Sequence, residues 1–398
     1  MKRLFLTLAL IAGCVFSTTA QESQPVAKGY QFTDSKILPT TPVKDQAKSG
    51  TCWCFSTLSF LESEILAAGG APIHLSEMWI VRNIYFEKAI KYVRLHGALN
   101  FAVGGASHDV FHGIKAYGIV PQEVYPGFNY GTTKPLFNEI DAVLKAYVET
   151  IIQAPNKTLT TAWQQGLNAI LDAYFGVMPE KFTWQGKEYT PQTFAASLPI
   201  KLDDYVDITS FTHHPFYTPF VMEVPDNWLW APINNVPLDE LMSIVDASLA
   251  QGHTIAWATD VSEPGFNRTK AIGIIPEAHV ETMAGSEAER WGKLSNAEKN
   301  AALYSFDKPG TEKTITQEMR QVAFDNYETT DDHGMVIVGT ATDQAGNPYY
   351  KVLNSWDVRA PYDGFFYFSR PFVAYKTMGI IVNKKVIPAD IRKKLGIK

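Results

Sequence analysis

Cysteine is scarce in this sequence: only Cys14, Cys52 and Cys54 occur among 398 residues. Two cysteines that are two positions apart are badly placed to bridge each other, and Cys14 lies in a segment with the features of an export signal. The low count therefore excludes a small disulfide-stabilised scaffold. The stability of the fold must come from packing.

Clusters of basic residues and long apolar runs are also missing. The chain carries 35 Lys and Arg against 41 Asp and Glu, a formal net charge of −6, and has no Lys/Arg block. An acidic chain of this kind is a poor nucleic-acid binder by its field alone, so we expect no nucleic-acid partner. After the N-terminal segment, no stretch approaches the length that a membrane-spanning helix needs.

The first 20 residues have the layout of a secretory signal peptide. Lys2 and Arg3 precede an apolar stretch from Leu4 to Phe16, and small residues end at Ala20. The stretch is too short to span a bilayer, so the pattern predicts cleavage after Ala20 and an exported protein, periplasmic or extracellular. In the alternative interpretation, Ile11 to Cys14 form a lipoprotein box, and a lipid on Cys14 would anchor the protein to a membrane.

The rest of the chain is interpreted as an arm followed by one domain. Residues 21–40 are polar and contain proline, which predicts an N-terminal arm. Residues 41–398 form the domain, and a region of roughly 125–235 that is rich in aromatic residues and proline is interpreted as an insertion. Residues 280–315 are charged and are predicted to be a loop.

Helical patterns come first along the chain and strand patterns later. Apolar residues at helical spacing predict a helix from Cys52 to Leu66. Further helices are predicted over residues 80–93, 108–117 and 238–251. From residue 335 onward, apolar runs between turn residues predict strands. This order predicts an α+β protein with two lobes.

Cys52 is predicted to lie in the first turn of its helix. The positive end of a helix lowers the pKa of a thiol, and the thiolate is the nucleophilic form. Cys54 points to the other side of the helix and is assigned to the packed face. Gln46 lies six residues before Cys52, and its amide would form an oxyanion hole with the Cys52 backbone N–H. These features favour one activated nucleophile over two inert core thiols.

The residues around Cys52 resemble a known motif. Gln46, Ser49 to Trp53 and Phe55-Ser56 are similar to the active-site motif of papain-like cysteine peptidases. That family also needs a later histidine and asparagine. The resemblance implies His333, just before a hydrophobic strand, as the partner of the Cys52 thiolate, and Asn354, at the end of the next strand, as the residue that orients its ring.

Other residues extend the resemblance. Trp356 would shield the His333–Asn354 hydrogen bond from water, and Trp53, next to the nucleophile, is assigned a supporting role. Gly104-Gly105 resembles the glycine pair along which the family's substrate backbone runs in extended pairing. The resemblance therefore implies Gly104 and Gly105 as substrate-binding residues.

One branch of the family fits the spacing. Cys52 and His333 are 281 residues apart, about twice the separation in papain-type enzymes. This excess and the stretch Asn234 to Pro237 resemble the bleomycin hydrolase and aminopeptidase C branch. The resemblance implies a two-lobed fold, with a helical lobe, an antiparallel β-barrel lobe and large helical insertions. It also implies aminopeptidase activity on short peptides and a homo-oligomer, a hexamer in that branch.

Two departures from the branch keep alternatives open. Asp357 follows Trp356 where the family commonly has glycine, and the C-terminal arm, whose terminal carboxylate holds the substrate amine in the family, looks shorter than usual. An exported endopeptidase of the same fold and a catalytically silent papain-fold binding protein are the alternatives.

No metal or cofactor is expected. The histidines other than His333 show no zinc-ligand arrangement with acids or cysteines. His108 and His112 are four residues apart but lack the glutamate of the H-E-x-x-H pattern. The set without an assigned role is His74, His96, His108, His112, His213, His214, His253 and His279.

Overall fold

The computed structural model describes residues 29–155, 158–277 and 285–397. The predicted signal peptide, residues 1–20, and the alternative lipid site at Cys14 lie outside these residues. In the described ranges, no helix has both the length and the apolar character that crossing a membrane requires.

Twelve α-helices occur in the described part of the chain, and the longest come early. In chain order they are α1 (Cys52–Ala67), α2 (Glu77–Arg94), α3 (Ser107–Tyr117), α4 (Asn138–Ile152), α5 (Ala162–Phe175), α6 (Pro191–Ser197), α7 (Leu238–Ala250), α8 (Gly285–Lys293), α9 (Asn296–Leu303), α10 (Gln317–Asp325), α11 (Arg370–Lys376) and α12 (Ala389–Leu395). The apolar pattern predicted α1, α2, α3 and α7 to within three residues of these bounds. It did not predict α4, α5, α6, α10 and α11, and it predicted a loop where α8 and α9 lie. Helix α9 has no buried residue, and a helix without an apolar stripe gives little periodic signal.

The same described ranges contain thirteen β-strands. They are β1 (Phe32–Ile37), β2 (Phe182–Trp184), β3 (Lys187–Tyr189), β4 (Tyr205–Thr209), β5 (Phe220–Val221), β6 (Pro232–Asn235), β7 (Ile255–Thr259), β8 (Phe266–Asn267), β9 (Ile272–Gly273), β10 (His333–Asp343), β11 (Pro348–Leu353), β12 (Phe365–Ser369) and β13 (Thr377–Asn383). One sheet runs in the order β5-β6-β4-β13-β7-β10-β11-β12-β9-β8, with β1 paired to β10. The predicted α+β class is confirmed.

The sheet is open in the described residues, so the expectation of an antiparallel β-barrel needs a correction. The strands at the two ends of the path, β5 and β8, are each two residues long, too short to close a barrel by pairing across a seam. Two pairs, β12 with β9 and β4 with β6, are parallel. The strand-rich lobe is therefore an open, mainly antiparallel sheet.

Helix α1 lies between the two lobes. Thirteen of its 16 residues are buried, because it packs on α3 of the helical lobe and on β10 of the sheet. A helix enclosed on all sides needs apolar or small residues all round, and the sequence CWCFSTLSFLESEILA supplies them except at Glu62 and Glu64, which are buried with polar partners. The first residue of α1, Cys52, therefore lies where the lobes meet.

The predicted arm and insertion both contribute to the core lobes. Within residues 21–40, β1 pairs antiparallel with β10. The region of roughly 125–235 supplies α4, α5 and α6, and also β4 to β6, which extend the sheet beyond β13. These additions flank the α1–β10 contact without interrupting it.

A buried ion cluster fixes the segment before α1. The Lys44 Nζ lies 2.6 Å from Glu62 in α1 and 2.5 Å from Glu77 at the start of α2. Glu62 also accepts hydrogen bonds from Thr41 Oγ1 at 2.6 Å and from the Leu75 backbone N–H at 2.8 Å. Because a buried charge is stable only when it is paired and hydrogen-bonded, the cluster holds residues 41–46 in one position against both helices.

Candidate active site

The nucleophile predicted from the sequence begins α1. Thr51 is at the N-cap position but makes no side-chain cap bond, and Cys52 is the first helical residue. The first N–H groups of a helix have no partner within the helix, so the Cys52 N–H can donate to an oxygen that faces the helix start. The Cys52 side chain is half-buried.

His333 begins the strand that lies against this helix start. A Cβ on the next residue, Gly334, would come within 2.6 Å of Ser56 Oγ and 3.4 Å of the Cys52 carbonyl oxygen. Glycine therefore permits β10 to approach α1 this closely. Cys52 and His333 consequently line the same cavity although 281 residues separate them.

Asn354 orients the ring of His333. Its Oδ1 lies 2.8 Å from His333 Nε2 and accepts the Ser355 backbone N–H, also at 2.8 Å. The Asn354 atom that faces the Ser355 N–H must be an acceptor, which identifies it as the amide oxygen. His333 Nε2 faces the same oxygen, so Nε2 must carry a proton and donate it. The unprotonated nitrogen is then Nδ1, and it is the one that can accept a proton from a thiol.

Trp356 covers the His333 ring. The two rings stack with centroids 4.5 Å apart and an interplanar angle of 28°, and the Arg268 guanidinium lies 4.6 Å from the indole centroid on Trp356. The next residue, Asp357, has a φ of 71°, which is the left-handed conformation that glycine adopts most easily. The backbone conformation expected for a glycine is thus present here without a glycine, and Asp357 Oδ1 accepts the Val358 N–H at 2.8 Å.

Gln46 is held by both ends of its amide. Its Oε1 accepts a hydrogen bond from Ser355 Oγ at 2.6 Å, and its Nε2 donates to the Ser49 carbonyl oxygen at 2.9 Å. An amide nitrogen has two hydrogens, and only one is used by Ser49. Because Gln46 also lines the cavity that contains Cys52, its second hydrogen can point to an oxygen bound there.

The glycine pair lies beside Trp53 and Asp226. A Cβ on Gly104 would come within 2.1 Å of Asp226 Oδ2, and a Cβ on Gly105 within 2.9 Å of Trp53 Cε2. The Trp53 indole N–H donates to the Val103 carbonyl oxygen at 3.1 Å, which fixes this loop to the start of α1. A side chain at position 104 or 105 would therefore clash with these neighbours, so glycine is needed at both positions for the loop to lie this close to them.

Seven of the eight predicted site residues line one cavity of about 320 Å³, which we call the central cavity. They are Gln46, Cys52, Trp53, Gly104, Gly105, His333 and Trp356. The eighth, Asn354, lies behind His333. A smaller cavity, the side cavity, adjoins it and shares the lining residues Ala106, Ser107, Ala258 and Asp331.

Sequence reasoning missed the acidic residues of the central cavity. Asp226, Asp331 and Asp332 all line it. The pair Asp331-Asp332 directly precedes His333 in the sequence, and this adjacency could have indicated that both acids lie near the site. Asp226 comes from the aromatic-rich region, and no motif in the sequence indicated that it lies near the site. Burial raises the pKa of Asp331 to about 7, and the neighbouring Asp226 and Asp332 carboxylates add to the shift.

A buried lysine that no motif indicated supports the glycine loop from behind. The Lys88 Nζ donates to the Ala102 carbonyl oxygen at 2.9 Å and also to that of Gly104. Burial lowers the pKa of Lys88, while Asp109 and Asp226 oppose that change. Lys88 therefore fixes the backbone of residues 102–104.

The charge state of the thiol differs from the expectation. A helix start was expected to lower the Cys52 pKa, but burial raises the pKa of the Cys52 thiol to about 11, despite the N–H groups of Gly334 and Trp53. Burial likewise lowers the pKa of His333 to about 4, although Asn354 opposes that change. Between these pH values the pair holds one proton, and its transfer from Sγ to Nδ1 leaves the net charge of the cavity unchanged.

Cys54 and two of the histidines lie outside the central cavity. Cys54 is completely buried, and its Sγ contacts the Glu77 carbonyl oxygen at 3.5 Å, which confirms the packed-face prediction. His108 lies 3.4 Å from Asp207 and His112 lies 2.7 Å from Glu87. His108 and His112 thus pair with different carboxylates. Although they lie on the same helix face, they do not form a shared metal-binding site.

Two segments of the chain match known families. Residues 28–163 match the model of the papain family of cysteine proteases, and residues 285–397 match the model of the Peptidase C1-like family. The first match contains Gln46 and Cys52, and the second contains His333 and Asn354.

Curated relatives are similar over nearly the whole chain. Aminopeptidase G of Lactobacillus delbrueckii subsp. lactis is 25% identical over 404 residues, covering 91% of this chain and 85% of the relative. Aminopeptidase C of Streptococcus thermophilus is 22% identical, covering 90% and 84%. Among solved structures, that of PepW from Lactobacillus rhamnosis HN001 superposes with a TM-score of 0.69 at 21% identity, covering 92% of this chain and 84% of that chain. The last similarity concerns the fold.

Proposed function

Because this chain belongs to the papain-like cysteine peptidases, in the branch of aminopeptidase C, we propose that it is an exported aminopeptidase that hydrolyses short peptides through an acyl-enzyme formed on Cys52. The observation that carries the proposal is the shared central cavity, in which the thiol, the imidazole and the Gln46 amide all face the same space.

The reaction proceeds by acyl transfer. His333 Nδ1 takes the proton of Cys52 as the sulfur attacks the scissile carbonyl carbon, and the carbonyl becomes an oxyanion. The Gln46 Nε2–H and the Cys52 N–H donate to this oxygen. The imidazolium then protonates the leaving amine, which departs with the C–N bond electrons. Water, deprotonated by His333, releases the acyl group and restores the thiol. Asn354 keeps Nε2 protonated throughout, so that Nδ1 is always the reacting nitrogen.

Acidic side chains support the choice of a substrate with a free amine. The Asp226 carboxylate lies against Gly104 and accepts a hydrogen bond from Asn100 Nδ2 at 3.1 Å. Asp331 lines the same cavity. An ammonium group located between these carboxylates would be paired with charge, whereas an N-acyl group would leave them unpaired.

The C-terminal residues that the structure describes, up to Ile397, lie away from this position. Helix α12 ends beside α7, where Lys394 Nζ lies 2.6 Å from Glu240, and Ile397 packs against the core of the sheet. In the described ranges, no residue after Trp356 lines the central cavity. The carboxylates of Asp226 and Asp331 line this cavity and are proposed to hold the substrate amine.

We expect Asp226→Asn to lower kcat/KM for a free-amine dipeptide fluorophore by about 10- to 100-fold, because a charge-assisted hydrogen bond to the ammonium is lost. The loss should fall on KM, since the amine is remote from the reacting atoms. The measurement compares this substrate with its N-acetylated twin, whose slow hydrolysis should not decrease further. Asp203→Asn, which removes one exposed carboxylate elsewhere, is the matched control.

Equal losses for both substrates would contradict the amine-binding role of Asp226. Efficient cleavage of the acetylated peptide by the unmodified protein would instead favour the exported endopeptidase.

The pH profile should show two acid steps. We expect kcat/KM on the free-amine substrate to fall modestly as pH drops through about 7, because protonated Asp331 no longer attracts an ammonium. It should fall to zero through about pH 4, where His333 becomes protonated and cannot accept the thiol proton. Above pH 7 the Cys52–His333 pair keeps its single proton until about pH 11.

Asp331→Asn is the control for this profile. It should remove the step near pH 7 and keep the step near pH 4. A single step near pH 6.5, the ordinary pKa of histidine, that persists in the variant would contradict the assignment of both groups.

Export and assembly are parts of the proposal with their own test. Cleavage after Ala20, an exported location and a homo-oligomer are proposed from the sequence. N-terminal mass analysis of the secreted protein together with its native mass separates these from a Cys14-lipidated protein and from a monomer.

A further inference from the structure

Two histidines and one glutamate come together on the far side of the segment that lines the side cavity. His213 Nε2 lies 3.1 Å from Glu223 Oε2, and His214 Nε2 lies 2.8 Å from Glu223 Oε1. The ligand atoms of all three side chains lie within 4.8 Å of one another. We call this group the His-Glu cluster. The two histidines have no adjacent acid in the sequence, because Glu223 is nine residues further along the chain and reaches them only when β5 folds back.

The geometry points to a divalent metal site of the zinc class, formed by His213 Nε2, His214 Nε2 and a Glu223 carboxylate oxygen. Zinc binds histidine nitrogens and carboxylate oxygens at about 2.0–2.2 Å, which separates tetrahedral ligands by about 3.4 Å. The observed separations of 2.8 and 3.1 Å join the two imidazoles to different oxygens of Glu223, and all the ligand atoms lie within 4.8 Å of one another. Rotation of the side chains by about 1 Å at the ligand atoms would bring two nitrogens and one oxygen to the tetrahedral spacing. The set of two histidines and one glutamate leaves a fourth position for water.

Packing holds both imidazoles near this arrangement. The His214 ring stacks on Phe220 at 4.3 Å with an interplanar angle of 23°, and the His213 ring stacks on Phe324 at 5.4 Å with 19°. Both ends of the Gln321 amide lie near His213 Nδ1, the nitrogen at 3.1 Å and the oxygen at 3.4 Å, so binding through Nε2 requires the amide oxygen to face Nδ1–H. A metal-bound histidine donates its other N–H to such an oxygen, so Gln321 can orient His213 for binding through Nε2.

The cluster is connected to the peptidase site by one short segment. Glu223 lies between Met222 and Val224, and both of these line the side cavity. The same segment continues to Asp226 and to Asn227, whose Nδ2 donates to the Met222 carbonyl oxygen at 3.1 Å. A metal held by Glu223 would therefore fix residues 222–227 to the His213-His214 loop, and with them the wall of the side cavity and Asp226.

Metal binding can be measured without activity. The full chain carrying Cys52→Ala, which removes the other thiol–imidazole site that zinc could occupy, is stripped with EDTA, dialysed and titrated with Zn²⁺ by calorimetry. We expect one tight site per chain and a melting temperature raised by about 2 °C or more at saturating Zn²⁺, because an ion that binds only the folded state stabilises it. Co²⁺ at the same site should give the visible absorption of a tetrahedral ion.

Substitutions decide which side chains bind the ion. His213→Ala, His214→Ala and the conservative Glu223→Gln should each weaken Zn²⁺ binding at least tenfold. His112→Ala is the matched control, since it removes an exposed histidine that also contacts a single glutamate at 2.7 Å, and it should leave binding unchanged. The absence of a stoichiometric site, or a site that survives all three substitutions, would overturn the proposal and leave two ordinary His–Glu ion pairs. This test is independent of whether the protein is an aminopeptidase.

Discussion

Replacing Cys52 by serine is expected to lower kcat/KM on aminoacyl-fluorophore substrates by on the order of 10⁴-fold or more. A serine hydroxyl is a weaker acid and a weaker nucleophile than a thiol in this position. It would have to lose its proton to the same His333 nitrogen in a cavity where burial already raises the pKa of the native thiol to about 11. The barrier to attack therefore increases while substrate binding, and with it KM, should change little.

The matched control for Cys52→Ser is Cys54→Ser, the same substitution at the other cysteine of α1. The Cys54 side chain is completely buried and contacts the Glu77 carbonyl oxygen at 3.5 Å, on the side of α1 that packs on α2. A serine there can donate to the same oxygen, so we expect a modest loss of thermal stability and nearly unchanged turnover. Equal losses in the two variants, or full activity in Cys52→Ser, would contradict the assignment of the nucleophile.

The same pair of variants tests the silent-scaffold alternative. An epoxide inhibitor of cysteine peptidases should label the unmodified protein and the Cys54→Ser variant once per chain, and should fail to label Cys52→Ser. Failure to label any of the three would favour a binding protein on this fold.

Replacing Gln46 by alanine should lower kcat by about 10²- to 10³-fold, the usual loss when one oxyanion donor is removed. Ser355 and Ser49 hold the Gln46 amide in place before substrate arrives, so the native site does not need to reorganise as the oxyanion forms. Alanine removes the donor and leaves the developing charge with the Cys52 N–H alone. KM should remain within a few-fold, because the ground-state carbonyl oxygen gains less from this hydrogen bond.

Alkylation separates a lost donor from a damaged fold. Iodoacetamide reacts with the Cys52 sulfur without creating an oxyanion at the Gln46 position. The rate of Cys52 alkylation in Gln46→Ala should therefore stay close to that of the unmodified protein. A parallel loss of alkylation and turnover would mean that Gln46 supports the position of the thiol or the histidine and does not stabilise the oxyanion.

The sequence by itself was sufficient for features with a local cause. Small residues before Cys52 and a run of apolar residues after it indicate a helix start, and the helix bounds followed within three residues. The resemblance motifs also gave His333, Asn354 and Trp356. In the structure, Asn354 and Trp356 both contact the His333 imidazole ring. The bounds of α1 and the proximity of these side chains could be inferred from the sequence because each rests on residues adjacent in the chain or on a motif that retains its spacing.

Tertiary structure decided what depends on segments that are far apart in the chain. The direction of the Cys52 and His333 pKa shifts follows from burial where α1 meets β10. The placement of Asp226 against Gly104 and of Glu223 beside two histidines came from a region without recognisable motifs. The openness of the sheet depended on edge strands of two residues. Electrostatic fields and cavities are sums over neighbours in space, so a pattern along the chain determines which groups are available and only the fold determines which of them meet.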